Sequence, residues 1–152
     1  MNGEGRYQNT KLFPKKHEVW LEGPIVSSEK VTIDFGANPD QVLDFTVTPL
    51  ISAKLNSATG SGTSLTIDYS LIANEGNTIK KKEVYCSTVK FPTAATGSRT
   101  NVYFTKTVAL TNNTGTLKID GLTTGVKYYI RIGAQAGSSA VMNYSNQIEV
   151  NL

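Results

Sequence analysis

Short alternations of apolar and polar residues constrain the fold of this chain more than any other feature. The clearest one is SLTIDYSLIA (64–73), in which Leu65, Ile67, Tyr69 and Leu71 alternate with polar residues. A period of two places these four side chains on one face of an extended strand. The three- and four-residue apolar spacing of an amphipathic helix is not sustained anywhere in the sequence. We therefore predict an all-β protein.

Similar segments recur along the chain and are separated by turn-forming residues. The 19 Thr favour strands, whereas the 12 Asn and 12 Ser favour turns. We predict about eight strands, which lie near 31–37, 42–55, 64–73, 79–91, 101–111, 116–122, 127–136 and 146–152. Pro49 interrupts the second of these, which predicts an edge strand, a bulge or two strands in succession. The polar stretch 57–64 is predicted to be a loop, and 74–77 a hairpin turn. Because most strands have one apolar and one polar face, the pattern favours two antiparallel sheets packed as a sandwich.

The last quarter of the chain carries a more specific motif. The segment IDGLTTGVKYYIRI (119–132), followed by Ala134 and by Ser145-Asn146, resembles the C-terminal third of fibronectin type III domains. In that family a strand ends in Gly-Leu, a tight turn follows, and a tyrosine opens the next strand. The resemblance covers about 35 residues, 117–152, and implies an immunoglobulin-like (fibronectin type III-like) sandwich.

The same resemblance assigns a role to Tyr128. In such sandwiches a tyrosine at this place forms a tyrosine corner, in which its hydroxyl bonds to the backbone a few residues upstream. The resemblance also implies which side chains of this strand face the core, namely Tyr128, Ile130, Ile132 and Ala134. It places Lys127, Tyr129 and Arg131 on the outer face. Sandwiches of this kind serve many unrelated functions, so the resemblance predicts a fold rather than an activity.

The positive charge of the protein is unevenly distributed. The whole chain carries +3 at pH 7, and residues 1–17 hold four basic residues against one acidic residue. The remaining residues carry equal numbers of basic and acidic groups. We therefore predict an extended N-terminal arm at 1–24, followed by an immunoglobulin-like sandwich at 25–152.

The arm combines its charges with large apolar side chains, which is typical of a segment that binds another protein. We predict partner-binding residues at Arg6, Lys11, Phe13, Lys15, Lys16, Trp20 and Leu21. Burial of a large apolar side chain contributes roughly 1.5–3 kcal/mol, whereas an exposed ion pair contributes about 0–1 kcal/mol. Phe13, Trp20 and Leu21 would then dominate the affinity. In the alternative interpretation, Trp20 and Leu21 simply begin the first strand of the sandwich.

Residues that could support catalysis or metal binding are scarce. His17 is the only histidine and Cys86 the only cysteine, which excludes a metal site built from several His or Cys ligands. No glycine-rich phosphate-binding loop is present. We therefore expect no enzyme activity, no cofactor and no metal, and we expect Cys86 to be a buried structural thiol. Tyr103, Tyr129 and Tyr144 could form a platform for a sugar, with cross-strand packing as the alternative.

Two functions remain as hypotheses. The first is a structural virion component, an auxiliary or decoration protein that the arm attaches to the major capsid protein or other virion subunits of a tailed bacteriophage. Such proteins assemble in the bacterial cytoplasm, and the N-terminus has no apolar core typical of a signal peptide. The alternative is a carbohydrate-binding or adhesive module at a bacterial cell surface, with a host glycan as its ligand.

Two other kinds of partner are not expected. Four basic residues in the arm could contact few phosphates, which argues against a nucleic-acid partner. No stretch approaches the roughly 20 apolar residues that a membrane-spanning helix needs, so we expect no membrane insertion.

Overall fold

The computed structural model describes residues 8–9, 12–38, 40–97 and 104–152. Within these ranges the chain forms ten strands and one short helical turn, α1 (Ala94–Gly97). The strands are β1 (Lys16–Val19), β2 (Val31–Asp34), β3 (Ile51–Ser61), β4 (Ser64–Ala73), β5 (Ile79–Ser87), β6 (Thr105–Ala109), β7 (Thr114–Ile119), β8 (Lys127–Ala136), β9 (Met142–Tyr144) and β10 (Ile148–Asn151). No helix in this part of the chain is long and apolar enough to cross a membrane.

Two antiparallel sheets form a sandwich. Strands β3, β4 and β7 make one sheet, in that order. The second sheet has the order β10-β8-β5-β6, and β9 also pairs with β8. Every strand pair is antiparallel. The predicted all-β sandwich of fibronectin type III-like architecture is therefore confirmed.

The alternation in the sequence sets the inner faces of both sheets. Leu65, Ile67, Tyr69 and Leu71 of β4 are all at most 4% exposed, as their spacing predicts. From the opposite sheet, β5 and β8 contribute Val84, Cys86, Ile130, Ile132 and Ala134, each fully buried. The core thus lies between the two sheets, and the odd-numbered residues of β8 are left to the outer face.

The tyrosine corner is present as the resemblance implied. The backbone N–H of Thr123 donates a hydrogen bond of 3.0 Å to the hydroxyl of Tyr128. The ring of Tyr128 is 2% exposed and meets the edge of Phe104 at 5.5 Å between centroids. This bond fixes the chain where it enters β8.

The predicted loop at 57–64 was wrong. β3 continues to Ser61 and pairs with β4 along this stretch, so that only Gly62 and Thr63 form the turn. Gly62 has a φ of +59°, which glycine adopts without steric strain. The polar residues of 57–61 form a strand because they pair with β4, which supplies its own apolar face to the core.

The predicted hairpin at 74–77 was also wrong, although the turn itself exists. Glu75 and Gly76 both have positive φ values, +48° and +71°. However, β4 and β5 do not pair with each other and belong to different sheets. The segment therefore crosses from one sheet to the other. The same turn residues suit both connections, because turn chemistry fixes the reversal and not the pairing partner.

The segment before Pro49 departs from the predicted pattern. Leu43, Phe45 and Val47 alternate with exposed residues but form no strand. Instead β1 pairs with β2, and a single bridge joins Ile25 to Pro49. β1 lies in the predicted arm and β2 in the predicted body, so the pairing spans the boundary predicted between residues 24 and 25, which stays a prediction.

Candidate functional site

The outer face of the β10-β8-β5-β6 sheet gathers several aromatic side chains. Tyr85 of β5 lies opposite Arg131 of β8, and Tyr144 of β9 lies opposite Gly133 of β8. Residues directly opposite each other in antiparallel strands point to the same side. Tyr129 lies two residues before Arg131 and so shares this side. We call the surface formed by Tyr85, Phe91, Tyr129, Arg131 and Tyr144 the Arg131 face.

Arg131 lies close to two aromatic rings. Its Cζ atom lies 4.8 Å from the ring centroid of Tyr144 and 5.9 Å from that of Phe91. Its Nε donates a 2.9 Å hydrogen bond to the carbonyl oxygen of Ser145. Both ring contacts have cation–π geometry, which favours the charged guanidinium. Burial nevertheless lowers the pKa of Arg131, because the half-buried charge has lost part of its hydration.

Phe91 reaches this position through an unusual backbone conformation. Its φ is +52°, in the left-handed region that costs a non-glycine residue about 1–2 kcal/mol. Its N–H donates to the side-chain oxygen of Gln147, which ties the loop after β5 to the chain before β10. A strained backbone held by a long-range contact at a partly buried aromatic cluster is typical of a functional surface.

Tyr144 is fixed at both ends of its side chain. Its hydroxyl accepts a 3.1 Å hydrogen bond from the N–H of Ala94, at the start of α1. Its ring lies 6.1 Å from that of Tyr85. Both rings cross over Gly133, where an added Cβ atom would lie 2.9 Å from Tyr144 Cε1 and 2.9 Å from Tyr85 Cε2. A side chain at position 133 would therefore displace the rings.

Tyr85 forms the floor of the Arg131 face. It is 1% exposed, and its hydroxyl donates a 2.6 Å hydrogen bond to Glu83, which also pairs with Lys81 at 2.9 Å. Burial and the bond to Glu83 raise the pKa of Tyr85, so the hydroxyl stays protonated and keeps donating. Tyr85 thus supports Tyr144 rather than meeting a ligand.

An open pocket of about 520 Å³ adjoins Tyr144. Lys81, Gln135 and Tyr144 supply its polar groups, whereas Val141 and Met142 are among its apolar residues. Val141 is 56% exposed, so an apolar surface faces solvent next to hydrogen-bonding side chains. An open pocket of this size, with both polar and apolar lining, can accommodate a small ligand that has hydroxyl groups and an apolar face.

Two of the three tyrosines proposed as a sugar platform lie on this face. Tyr129 and Tyr144 are half-buried and flank Arg131, and Lys90 Nζ lies 5.9 Å from the ring centroid of Tyr129. Tyr103 lies outside the described residues. Tyr144 also packs on Tyr85, so platform and cross-strand packing are not exclusive here. The resemblance placed Arg131 outward, but its contacts with Phe91 could not be read from the sequence.

The predicted partner-binding residues belong to the N-terminal segment and contribute no residue to the Arg131 face. Phe13 is 74% exposed, and Trp20 is 44% exposed. The indole N–H of Trp20 donates a 2.8 Å hydrogen bond to the carboxylate of Glu22, and Lys30 Nζ lies 4.7 Å from the centroid of the Trp20 ring. The remaining residues of this set are Lys15 and Lys16, both exposed, Leu21, half-buried, and Arg6 and Lys11, which lie outside the described residues.

Trp20 and Leu21 lie in no strand, because β1 ends at Val19. They follow β1 in a segment where the Leu21 N–H donates a 3.0 Å hydrogen bond to the hydroxyl of Ser28. The interpretation that these two residues begin the first strand of the sandwich is therefore wrong. Their role in binding a partner stays a prediction.

His17 and Cys86 both have structural contacts. His17 Nε2 lies 3.0 Å from the carbonyl oxygen of Phe13, and its ring packs edge-on against Phe35. Cys86 is fully buried, as predicted, and burial raises the pKa of its thiol to about 12. Among the described residues, no three His, Cys, Asp or Glu side chains come close enough to hold a metal ion.

No protein-family model and no curated protein matches this sequence. Solved structures do match it. A DUF3823 family protein from Bacteroides ovatus superposes with a TM-score of 0.73 at 18% identity, over 93% of this chain and 77% of its own. A DUF3823 family protein from Parabacteroides merdae gives a TM-score of 0.68 at 15% identity, over 92% of this chain and 72% of its own.

A third structure extends the similarity over more of the chain. A proposed carbohydrate-binding protein from Bacteroides uniformis has a TM-score of 0.65 at 23% identity, over 96% of this chain and 78% of its own. The chain shares their fold. Identities this low show the architecture alone. None of these three proteins is described as a virion component, so the bacteriophage hypothesis gains no support from them.

Proposed function

We propose that this protein is a carbohydrate-binding module that acts at a bacterial cell surface, and that the Arg131 face binds the sugar. One observation carries the proposal: Arg131 contacts the rings of Phe91 and Tyr144, and Tyr144 also lines an open pocket. This is the alternative that the sequence left open, with Tyr129 and Tyr144 as the platform.

The chemistry of the face fits a sugar ring. A pyranose presents C–H groups on its faces and hydroxyl groups around its edge, so it needs an aromatic surface and hydrogen-bonding groups close together. Tyr144 supplies the ring, while Lys81, Gln135 and Arg131 supply donors around it. Tyr144 and Phe91 are already fixed by hydrogen bonds to Ala94 and Gln147, which reduces the entropy lost on binding.

The comparison with solved structures supports the proposal more weakly. The Bacteroides uniformis protein that shares this fold is described as a proposed carbohydrate-binding protein. A shared fold does not transfer a function, because ligands bind to sites that differ between members of one fold. The geometry of the Arg131 face therefore remains the main support.

A glycan array followed by isothermal titration calorimetry tests this function. We expect the wild-type protein to bind at least one class of glycan, and Tyr144→Ala to weaken that binding about tenfold to a hundredfold, as loss of a central aromatic contact does. Ile72→Ala is the matched control, because Ile72 is 61% exposed on β4 of the opposite sheet. An array without any binding, or equal affinity for both variants, would contradict the proposal.

A second candidate function keeps the N-terminal segment as an attachment site to a virion or another assembly. The supporting observation is that Leu12 and Phe13 are 41% and 74% exposed, next to the exposed Lys15 and Lys16. We expect this function to place the chain in purified virions at a fixed ratio to capsid subunits, and Phe13→Asp to remove it. Virions that lack the chain would rule this candidate out.

A further inference from the structure

The charged groups of the Arg131 face are unequally paired. Glu83 and Glu149 both lie on this face, and both are bound by lysines: Lys81 contacts Glu83 at 2.9 Å, and Lys127 contacts Glu149 at 2.7 Å. Tyr85 donates a further hydrogen bond to Glu83. The acidic groups are thus already satisfied within the protein, and they contribute little repulsion toward an incoming anion.

The cations of this face differ in their counter-charges. The hydrogen bond from Lys127 and, at longer range, the charge of Lys90 lower the pKa of Glu149, whereas no carboxylate among the described residues interacts with Arg131. Arg131 and Lys90 form no ion pair among the described residues. The sequence between Gly97 and Phe104 contains no Asp or Glu. Half-burial of an unpaired guanidinium is costly, because the charge loses water without gaining a counter-charge. Such an arrangement is typical of a site whose counter-charge arrives with a ligand.

The geometry around Arg131 restricts how an anion can approach. Rings of Phe91 and Tyr144 lie over the guanidinium, and its Nε–H is bonded to Ser145. The two terminal nitrogens have no hydrogen-bond acceptor among the described residues. Together they form a planar fork of donors, which matches the two oxygens of a carboxylate.

We propose that the Arg131 face selects sugars that carry a carboxylate, such as the uronic acid units of a polysaccharide, with the guanidinium fork of Arg131 on the carboxylate. This inference rests on the proposed carbohydrate-binding function and specifies its ligand class. Tyr129 and Arg131 are two residues apart on β8, which places them about 7 Å from each other along the strand. Lys90, beside Tyr129, extends the positive surface, so a polyanionic chain can contact both cations.

The experiment compares pairs of polymers that share a backbone and differ in charge. Calorimetry of the full chain is run with three polymers that contain uronate units, called polyuronates below (polygalacturonate, alginate and hyaluronate), with fully methyl-esterified polygalacturonate, and with dextran and dextran sulfate. We expect at least one polyuronate to bind, and esterification of its carboxylates to weaken binding about tenfold to a hundredfold, as loss of a charge-assisted bidentate contact does.

Variants identify the residue that binds the carboxylate. We expect Arg131→Gln to bind the acid and the ester equally, and Arg131→Lys to recover only part of the preference, because lysine keeps the charge and lacks the fork. Lys54→Gln removes an exposed cation of β3 in the other sheet and should change nothing. Thermal unfolding checks each variant. If Arg131→Gln does not fold, carboxylate selectivity is still tested by Lys90→Gln and by the comparison of the acid with its ester in the wild-type protein.

The possible failures are distinguishable. Equal binding of acid and ester by the wild-type protein would overturn the carboxylate selectivity and leave carbohydrate binding intact. Binding of dextran sulfate together with rejection of all three polyuronates would also overturn it, in favour of sulfated sugars. If no polymer and no arrayed glycan binds, the proposed function and this inference both fail.

Discussion

At the scale of single residues, the smallest side chain on the Arg131 face has the largest structural consequence. Gly133 leaves the space that Tyr85 and Tyr144 occupy, since a Cβ atom there would lie 2.9 Å from each ring. Its sequence context gives no hint of this role, because Gly133 looks like an interruption in an apolar strand. Only the pairing of β8 with β5 and β9 reveals which rings meet above it.

We predict that Gly133→Ala reduces the free energy of glycan binding by more than it reduces the free energy of unfolding. The added methyl group would displace the rings of Tyr144 and Tyr85, which lie 2.9 Å from its position. Such overpacking costs about 1–3 kcal/mol of stability. Calorimetry with an array-selected glycan and urea unfolding measure the two effects. Unchanged affinity in the variant would show that the position of Tyr144 does not matter for binding.

The tyrosine corner permits a cleaner prediction. Tyr128→Phe removes the acceptor of the Thr123 N–H and keeps the buried ring, so we expect a loss of about 1–2 kcal/mol in the free energy of unfolding. Tyr129→Phe is the control, since no hydrogen bond of the Tyr129 hydroxyl is seen among the described residues. Equal midpoints in urea for both variants would show that the corner bond adds nothing to stability.

At the scale of elements, two asparagines connect the sandwich along the free edge of β3. Asn146 accepts from the N–H of Leu55 and donates to its carbonyl oxygen, both at 3.0 Å. Asn143 accepts from the N–H of Ile51 at 3.0 Å and donates to Pro24 at 2.7 Å. These amides imitate a neighbouring strand, which satisfies an edge that would otherwise be open to pairing with another chain.

We predict that Asn146→Ala lowers the free energy of unfolding by about 1–3 kcal/mol, because it leaves two backbone groups of Leu55 without partners. Asn151→Ala serves as the control, since Asn151 is exposed at the end of β10. Urea unfolding compares the two. A loss of equal size in both variants would mean that the bridging bonds of Asn146 are not what stabilises this edge.

The elements also show what a sequence can and cannot specify. Alternation predicted the buried face of β4 correctly, because burial depends on which side of a strand a residue occupies, and the family resemblance did the same for β8. It failed at 42–48, where the pattern exists but no partner strand lies alongside. Turn residues located the reversal at 74–77 but not the change of sheet. Pairing partners are a property of the whole fold, and short patterns do not contain them.

The assembly of the candidate site could not be predicted from the sequence for the same reason. Phe91, Arg131 and Tyr144 come from three separate segments and meet only through the β5–β8 and β8–β9 pairings. The sequence named Tyr129 and Tyr144 as a possible platform and placed Arg131 outward. It could not indicate that a cation would lie close to two rings, because no local spacing brings these residues together.

At the scale of the whole molecule, basic side chains are concentrated at two places, although the net charge of +3 comes from residues 1–17 alone. The sequence count assigned the excess to the N-terminal segment. The structure adds a second basic surface, where Lys81 and Lys127 are paired with glutamates while Arg131 and Lys90 form no ion pair among the described residues. One protein therefore carries an exposed basic and apolar N-terminal segment and a preformed face with half-buried positive charge.

Glycan binding at the Arg131 face is tested most directly by locating the bound glycan. Nuclear magnetic resonance of the isotope-labelled protein, titrated with the glycan that binds best on the array, maps that location. We expect the largest amide shifts at Phe91, Arg131, Gln135 and Tyr144. Shifts confined to the β3-β4-β7 sheet, or to residues 12–38 around Trp20, would contradict binding at the Arg131 face.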